Sequence, residues 1–354
     1  SGLGFYNHAV ILQALINERG LSVGIASSAV SVFFLSSGVS GMWIAGLLER
    51  YDAKLVITAG ALAASSALLA IRFVSNEGQL LAAYALFGVG FAASGLISST
   101  TLITRWFAAR RAFAMSIAST GLSIGGIVLT PSSALLIQAQ GINVSVTVFA
   151  LAYLVGVVPL ALMFIKSRPA DVGLQIDGAA LEQSPTANTA DTLFSDAIRD
   201  KFFWGVTLSF MFLMMAQVGA LAHQYGIVRA HLSGEEAVFA LSIIPATSII
   251  GRLIGGALLD KFSTTRFTLV MMLVQSTALF SLSQVTHAWA FLLGLGLLGF
   301  SVGNLLMLQP LLLAKTYGTQ NYSRIFGLSN MLSTVGIACG PLLLGLLYIN
   351  YGSY

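Results

Sequence analysis

The sequence is short of charge. Asp, Glu, Lys and Arg make up 8% of its 354 residues, whereas a soluble globular chain carries about 25%. Too few ionic groups exist to coat a water-facing surface, which excludes an ordinary soluble domain. Cysteine is scarcer still. Cys339 is the only one and lies in an apolar run, so no intrachain disulfide and no cysteine-based metal site can form. Seven prolines exclude a collagen-like or proline-rich low-complexity chain. The opening Ser1-Gly2-Leu3-Gly4 sits in an apolar stretch without a basic leader, so no cleavable signal peptide is expected there. No nucleotide fingerprint is present either: Gly88 and Gly90 follow no strand and lie within an apolar span.

What is abundant is apolar surface and glycine. Hydrophobic residues reach 56% and glycines number 36, with a mean hydropathy of +0.87. Small residues let helices approach closely in lipid. A helix needs about 20 apolar residues to cross about 30 Å of hydrocarbon. Eleven runs meet or approach that length: 1–16, 22–48, 54–74, 79–104, 112–138, 143–166, 202–224, 236–259, 266–285, 288–313 and 325–349. The first is short for a full crossing, so the expectation is a fragment with its first helix clipped and a twelfth missing.

The longest polar stretch, 167–200, holds Asp177, Glu182, Ser184, Pro185, Asn188 and Asp191. It divides the chain into an N-terminal bundle (1–166), a linker and an incomplete C-terminal bundle (201–354). The net charge of +4 gathers on no nucleic-acid-binding stripe. Arg50, Lys54, Arg105, Arg110, Arg111, Lys166, Arg168, Arg199, Lys201, Lys261, Arg266, Lys315 and Arg324 share one side of the predicted topology. Arg19, Arg72 and Arg229 lie on the other. The positive-inside rule then places the linker in the cytoplasm and the protein in the cell (plasma or inner) membrane.

An internal repeat underlies the pattern. Glu49-Arg50-Tyr51 after the second run matches Asp260-Lys261-Phe262 after the eighth, an offset of 211 residues (260 − 49). At that offset Tyr6 and Gln13 meet Gln217 and Gln224. Each pair is spaced i, i+7 and shares a helix face. Two repeats of this kind suit a transporter with a midplane site between them. Acidic and basic groups at equivalent helix ends, Glu49, Arg50 and Lys54 with Asp260, Lys261 and Arg266, suit a gate that closes the cytoplasmic side. The alternative is a solvated ion pair of about 0–1 kcal/mol.

These stretches resemble a known family. Ala45–Lys54 and Gly256–Arg266 are similar to the loop motif of the major facilitator superfamily, although Ala45 and Asp52 stand where glycine is usual. The resemblance implies an all-α membrane fold of two pseudo-symmetric six-helix bundles. Arg105-Trp106-Phe107 with Arg110-Arg111-Ala112, Arg168–Leu174 and Gly251–Gly256 further resemble the oxalate/formate antiporter and monocarboxylate transporter branch.

Arg252 lies about two-thirds along the eighth run, and its repeat mate is Gly41. A charge near mid-bilayer costs at least about 2.5–3.5 kcal/mol and normally faces a cavity or partner, unless it snorkels to the surface. A guanidinium fork suits a carboxylate, and in the resembled branch this arginine partners the substrate carboxylate. Tyr6, His8, Gln13, Gln217, His223 and Gln224 are candidate substrate-binding groups, with helix–helix hydrogen bonds as the plain alternative. Either histidine suits proton coupling. Where animal monocarboxylate transporters carry an Asp one turn before the arginine, Ser248 stands here, and run 325–349 lacks the lysine of oxalate/formate members. A monoanion is favoured over a dianion.

Gly121 with Gly125, Gly299 with Gly303, and Gly336 with Gly340 suit tight helix crossings, while Pro131, Pro310 and Pro341 suit local bending. The expected function is secondary transport of a small organic anion, a monocarboxylate, by alternating access. A proton or counter-anion is the expected coupling partner. The expected protein is a monomer in lipid, with no cofactor, no metal and no enzymatic activity. The alternative is an exporter of drugs or other neutral or cationic compounds, whose cavity would hold an intramembrane carboxylate.

Overall fold

A computed structural model describes residues 2–107, 111–174, 192–259, 262–284, 287–317 and 322–352. These residues are overwhelmingly helical and contain no β-strand element. The chain divides into two compact units, Ser1–Gln183 and Ser184–Tyr354. The division falls within 175–191, outside the described residues.

Unit 1 holds α1 (Gly2–Tyr6), α2 (His8–Arg19), α3 (Val23–Arg50), α4 (Ala53–Ile71), α5 (Glu77–Ser94), α6 (Leu96–Trp106) and α7 (Arg111–Phe164). Polar caps start several of them: Ser22 accepts from the Ile25 amide, Asp52 from Lys54 and Asn76 from Gln79. The α1 and α2 helices form one segment interrupted at Asn7, and α5 and α6 are separated at Gly95. Within α7 the chain turns at Gly141, whose φ of 80° favours a residue without Cβ. The apolar stretch Ile117–Phe164 runs 48 residues, more than twice the roughly 20 that a crossing needs. It is therefore two crossings that meet at Gly141, between the runs 112–138 and 143–166 expected from sequence.

Unit 2 holds the short α8 (Phe194–Ala197), then α9 (Lys201–His231), α10 (Gly234–Ala240), α11 (Ile243–Leu259), α12 (Thr264–Gln284), α13 (Ala288–Tyr317) and α14 (Tyr322–Tyr351). Among the described residues, nine helical stretches are long and apolar enough to cross a membrane, the double crossing of α7 counted once. Trp43, Val155, Phe164, Leu253, Phe280 and Trp289 are more than half exposed. Such faces suit lipid rather than water.

Glycines set the closest approaches within each unit. A Cβ on Gly88 would collide with the Phe33 carbonyl and Ser36 Oγ, and one on Gly299 with the Ile244 carbonyl and Thr247 Oγ1. All three pairs are 211 residues apart (299 − 88, 244 − 33, 247 − 36). The repeat seen at the helix ends therefore extends to the same backbone contact in both units. Gly336 and Gly340 of α14 press on the Met211 and Met215 carbonyls of α9. Gly121 has open space around it, so the expected tight crossing is absent at that glycine.

One end of unit 1 is clasped by ions. Arg19 donates to the Val74 and Arg72 carbonyls at 2.8 and 3.0 Å and to Asn143 Oδ1 at 2.7 Å. Glu18 accepts from the Ile142 amide at 2.8 Å. A cation thus meets the end of α4 and an anion the start of the second crossing of α7, each complementing the helix dipole. In unit 2, Gln309 donates to Ser329 and Ser333, and Ser329 also bonds Thr207 at 2.8 Å. This network joins α9, α13 and α14.

Gly340→Val should overpack the α9–α14 crossing and destabilise the protein by about 1–3 kcal/mol. Gly121→Ala should change stability by no more than about 0.5 kcal/mol. Thermal unfolding of the detergent-solubilised protein checks both; equal shifts would contradict the packing described.

Candidate functional site

Arg252 is 4% exposed on α11. Its neighbours on that helix explain how so large a side chain is accommodated. Gly251 and Gly255 lie against α13, where a Cβ would press on the Phe300 carbonyl and the Asn304 side chain. Gly303 in turn lies against the Ser248 backbone. This close approach brings the Gly303 carbonyl to Arg252, whose Nε donates to it at 3.3 Å. Ser248, buried one turn earlier, donates to the Pro245 carbonyl at 2.8 Å. Asn304, also buried, donates to the Phe300 carbonyl at 2.9 Å.

The guanidinium does not lose its proton, so a permanent charge is held among apolar crossings. Helices α9, α11, α12, α13 and α14 contain no Asp or Glu. The repeat mate Gly41 has the tip of the Ile97 side chain beside it. The charge is thus particular to unit 2.

The other candidates of unit 2 lie on α9, which packs chiefly on α14. His223 Nε2 pairs with the Pro341 carbonyl at 3.0 Å. Gln224 donates to the Leu241 carbonyl at 3.4 Å. Both therefore make the helix-to-helix or helix-to-turn bonds that the sequence left open. Gln217 is 0% exposed, and neither atom of its amide has a hydrogen-bond partner among the described residues.

In unit 1, Tyr6 and His8 are buried, whereas Gln13 is partly exposed and donates to Asn17 Oδ1 at 3.2 Å. The i, i+7 spacing held for the backbone, but the buried face of this segment favours Tyr6 over Gln13. Asn7, between α1 and α2, is buried with both amide atoms unpartnered. Tyr84 is not among the sequence candidates; its one signal is a polar group in an apolar run.

The basic end of unit 1 carries a second cluster. Ser167 donates to Asp52 Oδ1 at 2.8 Å and accepts from the Ala53 amide at 2.7 Å. Lys54 lies 3.2 Å from the other Asp52 oxygen. Arg105 donates to the Leu48 carbonyl at 2.7 Å, and Trp106 Nε1 to the Lys166 carbonyl at 2.9 Å. Burial alone would raise the Asp52 pKa, but the Ser167 hydroxyl, the Lys54 amide and the Lys54 ammonium together hold it below the ordinary carboxylate value. In unit 2, the Phe202 amide and the Tyr317 hydroxyl, at 2.8 Å, lower Asp200.

Of the expected gating residues, Lys54 pairs within its own unit, and Arg50 and Arg266 are exposed. Asp260 and Lys261, and the side chain of Glu49, lie outside the described residues.

Repeated helical crossings, a buried permanent charge and lipid-compatible faces define a multi-pass membrane protein built around internal symmetry. A family model described as Major Facilitator Superfamily matches residues 1–341. The chain belongs to that superfamily and is a transporter rather than an enzyme. It is 24% identical to the MFS transporter asaE of Aspergillus flavus over 94% of this chain and 74% of that protein. It is 23% identical to the aspyridones efflux protein apdF of Emericella nidulans over 100% of this chain and 69% of that protein. The uncharacterised MFS-type transporter YhjX of Escherichia coli is 22% identical over 93% and 78%. A solved bacterial homolog of the human lysosomal transporter Spinster superposes with a TM-score of 0.74 at 16% identity, covering 99% of this chain and 80% of that one. That likeness supports the fold.

The Asp52 pKa is depressed, so its contribution to stability is present above the unfolded value of about 3.9 and is lost as pH falls through the lower folded value. Asp52→Asn should lower the melting temperature at pH 7, with the difference from wild type shrinking as pH falls below about 3.9. Melting curves across that range check the sign. A difference that persists unchanged in acid would contradict the carboxylate clasp.

Proposed function

We propose that this transporter moves a small organic monoanion, a monocarboxylate, by alternating access, and that Arg252 anchors its carboxylate. The observation that carries the reading is a guanidinium 4% exposed on α11, in a unit where α9 and α11–α14 contain no acidic residue. A fixed charge in such a setting is retained for a partner of opposite sign. The planar fork of arginine matches a carboxylate through charge-assisted bonds. Gln217, buried with an unpartnered amide, is the favoured polar group for shaping the rest of the substrate, with Tyr6 as a further candidate from unit 1. His223 and Gln224 are assigned to holding α9 in place, which also orients Gln217.

On this reading the basic ends face the cytoplasm, as does the linker, in a cell membrane. Glu49, Arg50, Lys54, Asp260, Lys261 and Arg266, the acidic and basic groups at the helix ends of that side, are assigned to gating. Driving energy comes from an ion gradient or from the substrate's own gradient.

A second reading, export of a larger neutral or cationic compound, is favoured by the relative named as an aspyridones efflux protein. The absence of an acidic residue from α9 and α11–α14 counts against a cationic cargo.

The test is uptake of labelled lactate, pyruvate, formate and oxalate into proteoliposomes. At least one monoanion should enter. Arg252→Ala should lower that uptake at least tenfold, since hydrogen bonds to charged groups contribute about 1.5–3 kcal/mol. Arg252→Lys should retain only part of it. Undiminished carboxylate uptake by Arg252→Ala would remove the anchor. Transport confined to bulky neutral compounds would favour the exporter.

A further inference from the structure

His8 is 2% exposed and enclosed by rings. Phe33 lies with its centroid 4.2 Å away in a T-shaped contact, Phe34 at 5.5 Å, Tyr84 at 5.9 Å and Phe87 at 6.0 Å. The Gly4 carbonyl, one turn back, is the backbone acceptor beside the ring. Neither ring nitrogen makes a hydrogen bond of ordinary geometry with a described residue. The Asn7 amide and the Tyr84 hydroxyl, both buried, are likewise without partners among the described residues.

Such orphaned groups are costly to bury and call for an explanation. A Phe or Leu would fill the same space at less cost. Asn7, between α1 and α2, keeps right-handed helical dihedrals (φ −77°, ψ −10°) and its carbonyl accepts from the Ile11 amide at 3.2 Å, so His8 lies inside one nearly continuous crossing.

The repeat sharpens the point. The mate of His8 is Gly219 (219 − 8 = 211), where a Cβ would lie 2.9 Å from the Gly340 carbonyl oxygen. Arg252 likewise stands opposite Gly41 in the repeat. Each unit therefore buries one ionisable side chain where the repeat places a glycine in the other. Packing symmetry explains neither.

We propose that His8 is the proton-carrying site of this transporter, taking up a proton when its aromatic enclosure opens to water on one side and releasing it on the other. The inference rests on the transport reading above and names its coupling ion. One ring nitrogen with a free lone pair accepts the proton from water and later returns it to water; only an N–H bond forms and breaks. Aromatic rings this close stabilise a cation that lies over their faces. Tyr84 of α5 is the titratable side chain in ring contact with His8. The other packed elements bring no ionic group: residues 23–48 of α3, 78–94 of α5 and 112–164 of α7 contain no Asp, Glu, Lys, Arg or His. Histidine changes charge nearest neutral pH, which fits a group that must load and unload in a cell.

The test has two arms on the full chain. In nanodiscs, nitrogen NMR of the four histidines, with His8 assigned by its loss in His8→Phe, should show the His8 ring gaining a proton somewhere between about pH 5 and 8. A ring that stays in one form across that range overturns the inference, whatever the substrate. In proteoliposomes, labelled lactate uptake by the wild type should rise when the outside is made one pH unit more acidic. His8→Gln uptake should show no such rise, whatever its residual rate. A variant that keeps the full response also overturns it. Titration of His8 with no carboxylate transport at all would leave the proton site standing and refute the anion cargo instead.

Discussion

A charge that cannot be neutralised, held on α11 against an α13 that carries no acid, is the constraint on which the functional account depends. Removing a guanidinium from water is unfavourable unless something replaces its hydration. At Arg252 part of that replacement is backbone: the Gly303 carbonyl accepts from Nε. This requires the two helices to touch, and they do so because Gly251, Gly255 and Gly303 leave no side chains between the backbones. Glycine content, helix crossing and charge placement are therefore one arrangement.

The internal repeat provides a control within a single chain. Matching contacts at Gly88 and Gly299 show what the fold requires of both units. Departures from that match show what each unit adds. Arg252 against Gly41 and His8 against Gly219 are such departures, each exchanging a minimal residue for one that can carry charge. At the helix ends the two units solve the same problem differently. Asp52 caps α4 and Ser263, its mate at 211 residues (263 − 52), accepts from the Arg266 amide at 3.2 Å. Asp52 departs from the glycine usual in the family motif, and here that departure has a local purpose: it caps α4 and binds Ser167 in the same carboxylate.

Much of the fold was legible because lipid demands long apolar runs. The runs 202–224 and 288–313 lie within α9 and α13, run 22–48 lies within α3 but for its capping Ser22, and the gap between 138 and 143 contains the turn at Gly141. Interruptions at Asn7 and Gly95 were not legible, since neither residue breaks the hydropathy of its run. Contacts between distant residues were also hidden. Ser167 meets Asp52 across 115 positions, and nothing in either local sequence specifies the other. For the site, the depth of Arg252 could be read from flanking Ile and Leu, whereas its Gly303 partner depended on how α11 and α13 cross. Gln13 and Tyr6 share a face by spacing, yet only Tyr6 is fully buried, because spacing fixes direction and not the size of the neighbour.

The most direct measurement is water access to position 252. Cys339, the single cysteine, is exposed and would first be replaced by Ser, after which Arg252→Cys carries the only thiol. A membrane-impermeant thiol reagent should label this cysteine in intact membrane vesicles, because an anion anchor must be reached from water in at least one transport state. A thiol that stays unreactive in membranes of either orientation, yet labels fully once the protein is denatured, would place position 252 outside the transport path and contradict the account.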